Sequence, residues 1–167
     1  MDLADYLRTY LTDHRAGQAA IVRVAHRFAR SNRATPWELE LSRLADDIEA
    51  DAAVLDSVAE ACAVEGGKAK RLLALAGERM GRLKLNGHIL TYSPLSRVFE
   101  AEGLAAAAAL KRQMWRTLER LQHRHAALAD FDFAELADRA TSQAEVLQRI
   151  HEWAADQMAG RPSNVST

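Results

Sequence analysis

Leu3, Leu7, Tyr10, His14, Gly17, Ile21, Val24 and Phe28 recur in steps of four and three. Trp37, Leu41, Leu44, Ile48, Asp51, Leu55, Val58 and Cys62 do the same. Apolar positions at this spacing line one face of an α-helix, so two long amphipathic helices are predicted, over residues 2–31 and 36–64. If the chain folds back at Ser31 to Thr35, the two seams become mirror images. Phe28 then faces Trp37, Val24 faces Leu41, Tyr10 faces Leu55, and His14 faces Asp51. The charged interruption of each seam falls at one depth, which predicts a buried polar layer made of His14 and Asp51.

The rest of the chain also reads as helix. Thr35 is placed to cap the second helix, with Pro36 at its first position and Glu38 completing a capping box. Gly66-Gly67 breaks the chain. A shorter helix over about 68–84 stops at Asn86-Gly87, and 88–92 reads as an ordered crossing loop. Ser93-Pro94 opens a long helix to about His123, and Asp132 caps a last one that ends near Met158. A bundle domain is expected over 1–159, with 160–167 as a loose tail. No stretch has the alternation of a strand.

Four helices of about 25 to 30 residues, each roughly 40 Å long, with a shorter helix between the second and third long ones, imply an all-α four-helix bundle with a long crossover. In that arrangement the first two long helices are antiparallel, and the second and third long helices are parallel. The helix order and lengths resemble the ferritin-like superfamily over nearly the whole chain, as a bacterial branch lacking the usual di-metal motif.

That resemblance implies inward carboxylates and two Glu-x-x-His motifs, and the sequence departs from them. His14 stands where the first helix should carry a Glu. Glu49 is followed by Ala52 and Asp51 by Val54, where His is expected. Glu100 and Glu102 are present on the long helix after Pro94, but the nearest motif on the last helix is Gln148-Arg149-Ile150-His151, with an amide in place of the acid. Counting residues from the helix starts puts Ala109 opposite His14 and Asp51, so no third ligand is placed with them. No metal or cofactor is therefore expected, and Asp51 with His14 reads as a pair that fixes helix register, with Gly17 letting the second helix approach. The alternative is a degenerate metal-binding, redox-active site drawn from His14, Glu49, Asp51, Glu100, Glu102 and His151. His151-Glu152 does not extend to a zinc-protease motif, because Ala155 stands where a second His is needed.

Charge changes the picture locally. The net charge of −1 gives no field for general nucleic-acid binding. Between Glu38 and Glu60, however, eight acids oppose one base, a balance of −7, and between Lys68 and Arg97 seven bases oppose one acid, a balance of +6. These read as solvated faces of neighbouring helices. The longest apolar run, Leu104 to Leu110, is far shorter than the roughly 20 residues that span a bilayer, and the first five residues carry no basic segment ahead of an apolar one. Cys62 is the single cysteine. A cytoplasmic location follows as the expectation. Trp115, Trp153 and the alanines at 105–109 are expected to supply a homodimer interface. The functional expectation is a binding or interaction module of unknown ligand, rather than an enzyme.

Overall fold

The computed structural model describes residues 2–64 and 92–161, and in that range the chain is all-helical, with four long helices and no strand. Helix α1 spans Leu3–Ser31, α2 Glu38–Ala61, α3 Pro94–Leu121 and α4 Phe133–Met158. Two single-turn 3-10 helices, Gln122–Arg124 and Ala126–Leu128, connect α3 to α4. The expected helix at 68–84, the stop at Asn86-Gly87 and most of the 88–92 loop lie outside the described residues.

Local chemistry sets the helix ends. Asp2 and Asp5 form a reciprocal capping box at the start of α1. The buried Asn32 ends that helix by donating from its side-chain amide to the Phe28 carbonyl at 2.8 Å. Ser93 and Asp132 cap α3 and α4 through the backbone N–H groups of Ser96 and Glu135. The box expected at Thr35 and Glu38 does not form. The Thr35 hydroxyl instead donates to the Asn32 carbonyl at 2.7 Å and accepts from the Trp37 N–H, locking the turn, and α2 starts at Glu38. At its other end α2 stops before the glycines. Ala63 adopts a left-handed φ of 53°, and the Val64 N–H reaches back to the Ala59 carbonyl at 2.9 Å, a Schellman closure. A left-handed alanine costs about 1 kcal/mol, a cost opposed by the burial of Val64 against Leu55 and Val58.

The core forms two clusters, and all four helices contribute to each. One joins Phe28, Trp37, Leu41, Leu104, Leu147 and Trp153. The other joins Leu11, Leu55, Trp115, Leu118, Phe133 and Leu136. The start of α2 thus shares a cluster with the end of α1 and the start of α3, so α1 and α2 are antiparallel while α2 and α3 run parallel, as the helix lengths imply. The α2 seam is buried as read, from Trp37 through Val58, with Cys62 half-buried.

The α1 seam needs correction. Leu7, Leu11, Ala16, Ala20, Ala25 and Phe28 are its buried positions, while Tyr10, His14, Ile21 and Val24 are half-buried and Gly17 is exposed. Helix α1 packs on both α2 and α3, so its buried line points between two neighbours instead of straight at one. Gly17 permits no close approach, since a Cβ there would meet nothing within 4 Å. Trp115 and Trp153 are core residues at 0% and 8% exposure. They stack on Phe133 and edge onto Trp37 respectively, which withdraws them from any subunit interface.

Candidate functional site

Between the two apolar clusters lies a layer of charge. Asp51 is completely buried on the inner face of α2, and Lys111 on α3 and Gln143 on α4 are buried beside it. The Lys111 ammonium donates to Asp51 Oδ2 and, at 2.5 Å, to Gln143 Oε1. The Gln143 amide donates to Asp51 Oδ2 at 2.9 Å. Arg139, one turn earlier on α4, donates from Nε to Asp51 Oδ1 at 2.7 Å and pairs through its second nitrogen with the same oxygen. One carboxylate thus ties three helices together. Burial pushes the Lys111 amine down, and Asp51 opposes that shift.

The seams of α3 and α4 explain this placement. Val98, Ala101, Leu104, Ala108, Lys111, Trp115 and Leu118 follow steps of three and four, and so do Phe133, Leu136, Ala140, Gln143, Leu147, Ile150 and Ala154. Each helix except α1 therefore carries one polar residue in an otherwise apolar seam, all at one depth. Charged residues are almost never buried unless paired, and here each pairs with the next.

The expected partner of Asp51 was His14, and the structure corrects this. The His14 ring lies half-buried on α1 against Tyr10, with centroids 4.5 Å apart. Burial lowers the His14 pKa, and the charge of Asp13 partly opposes that. Ala109 does not face the layer; it is exposed, and Ala108 is the buried alanine. The remaining candidates sit in separate pairs. Glu49 holds His26 at 2.9 Å between α1 and α2, and Glu102 holds His151 at 3.1 Å between α3 and α4. Glu100 binds Arg27 at 2.6 Å. Among the described residues no three of His, Cys, Asp or Glu gather where they could hold a metal ion.

A second polar group lies at the end of the bundle where α1 turns into α2. Asn32 is 1% exposed. It donates to the Tyr92 hydroxyl at 2.9 Å and accepts from Arg97 Nε at 2.7 Å. Tyr92 in turn donates to Glu100 at 2.9 Å. The Arg97 guanidinium lies over the rings of Tyr92 and Trp153 at 5.3 and 5.4 Å, within cation–π range. Burial pushes the Tyr92 hydroxyl well above its ordinary range, and Glu100 adds to the shift while Asn32 and Arg97 oppose it. The hydroxyl therefore stays protonated and serves as a fixed donor.

Chemically, the central layer is closed. The acceptor positions on Asp51 are taken by two cations and an amide, and the shallow cleft beside it, of about 130 Å³, reaches Arg139 and Gln143 from between Leu44, Asp47 and Val146. Compared with known proteins, the chain matches no family model, no curated protein and no solved structure. No helix among the described residues is long and apolar enough to cross a membrane.

Proposed function

We propose that the chain is a non-catalytic interaction module on a ferritin-like four-helix scaffold, cytoplasmic and self-associating as a homodimer. The observation that carries this reading is the saturation of Asp51. Asp51, the one fully buried acid among the described residues, lies at mid-bundle, where a ferritin-like protein would place bridging carboxylates, and is bonded by Lys111, Gln143 and Arg139. Lysine and arginine fill the coordination space electrostatically, so the layer serves to set helix register. The antiparallel α1 and α2, the parallel α2 and α3, and the entry into α3 at the end opposite the exit from α2 support the ferritin-like layout.

With both tryptophans in the core, the surface for self-association is the outer side of α3. Leu95, Phe99 and Leu110 are among its exposed large apolar side chains, and they fall within a roughly 60° arc at about 100° per residue. An antiparallel copy centred between Glu102 and Gly103 would set Leu95 against Leu110 and Phe99 against Ala106, an isologous contact of large on small. Light scattering on purified protein is expected to give a dimer mass that Phe99→Glu reduces to a monomer without loss of helical circular dichroism. A monomer at high micromolar concentration would remove the dimer. Elemental analysis is expected to find no stoichiometric iron, manganese or zinc, with unchanged folding after chelation. One or more metals per chain, lost on His14→Ala, would replace this reading with the metal-binding one.

A further inference from the structure

Where α1 passes into α2, the two helices part to leave a cleft of about 220 Å³. Ala29 on one side and Ala45 on the other are too small to close it. The side chains at its rim are His26, Arg30 and Arg33 facing Glu38 and Ser42, two guanidiniums against one rim acid. The imidazole of His26 is oriented by Glu49, 2.9 Å from Nε2. Arg15 and Arg27 on the same helix are ion-paired with Asp56 and Glu100, whereas Arg30 and Arg33 form no ion pair among the described residues.

Two unpaired guanidiniums at the rim of a polar recess, with the Ser42 hydroxyl, form a donor set, while the His26 ring is already engaged by Glu49. Guanidinium forks match the paired oxygens of phosphate better than they match halides. The volume is below the roughly 300 Å³ at which pockets begin to take drug-sized ligands, so the recess suits a small group. Glu38 is the electrostatic opponent of any anion placed there.

We propose that this cleft binds a small oxyanion of the phosphate class, either free phosphate or the terminal group of a phosphomonoester. The site is separate from the Asp51 layer and does not depend on the self-association reading.

The test is a proton–nitrogen NMR titration of the full chain with inorganic phosphate, with phenyl phosphate, and with sodium chloride at matched ionic strength. Both phosphates are expected to give saturable shifts confined to residues 26–42, with a dissociation constant of about 1 mM or below, equivalent to about −4 kcal/mol. Chloride is expected to give none. Arg33→Glu should weaken binding at least tenfold, and Glu38→Gln should tighten it severalfold. Phosphate winning over phenyl phosphate would assign the free ion, and the reverse order a phosphomonoester. Equal shifts with chloride, shifts that do not saturate, or affinities unchanged in both variants would overturn the proposal.

Discussion

The two polar groups of this bundle solve the same problem differently. At the centre, Asp51 is completely buried and is met by two positive charges and an amide. At the turn end, the most buried member, Asn32, is neutral, and the charges of Arg97, Glu100 and Arg27 lie at the edge. A charge in the interior is stable only against its counter-charge, so removal of one partner strands the other at a cost of about 3–5 kcal/mol. A neutral amide loses only its hydrogen bonds. The central layer therefore specifies which helices meet and at what depth, while the end network ties the α1–α2 turn to the start of α3.

The largest expected effect tests this distinction directly. Asp51→Asn should lower the unfolding free energy by about 3–5 kcal/mol, because it leaves Lys111 buried at 5% exposure with amide partners and no anion; urea denaturation followed by circular dichroism reads it. The combined Asp51→Leu, Lys111→Met, Gln143→Leu variant should recover most of that loss, since an apolar layer of similar volume removes the buried Lys111 charge and the partly exposed Arg139 can turn its guanidinium to solvent. If the triple variant is as unstable as the single one, packing geometry and not charge governs the centre.

Asn32→Ala should cost less, about 1–3 kcal/mol, from the unsatisfied Phe28 carbonyl and Arg97 Nε it leaves behind. A loss equal to that of Asp51→Asn would erase the contrast between the two regions.

The smallest effect concerns His14, half-buried against Tyr10 and outside the central layer. Its folded-state pKa lies below the ordinary 6.5 because burial disfavours the imidazolium. As pH falls through about 6.5, the unfolded chain takes up the proton first, so stability declines there and levels off once the folded state is protonated too. The urea midpoint should therefore drop between about pH 7.5 and about pH 5.5, and His14→Gln should remove part of that drop. An unchanged pH profile in the variant would show that the ring is not desolvated.

Much of the fold was legible in the sequence because helix periodicity depends only on the order of residues. The α2 seam is buried position by position from Trp37 to Val58, and the caps at Ser93 and Asp132 form where side-chain chemistry places them. Asp51 was recognisable as a buried acid for the same reason. Its partners were not recognised, although Lys111 and Gln143 stand in seams as regular as its own. One polar residue in each otherwise apolar seam is the sequence signal that marks them.

His14 was misassigned because a mirrored pair of helices fixes depth but not rotation. The sequence by itself determined the helices, their order, the acid in the α2 seam and the depth of the polar layer, since all of these follow from local spacing and capping. Only the tertiary structure decided which side chains meet there. The third and fourth helices bring two cations and an amide to Asp51, while His14 on α1 stays half-buried against Tyr10. A buried charge takes the strongest counter-charge within reach, and what is within reach depends on helices distant in the chain.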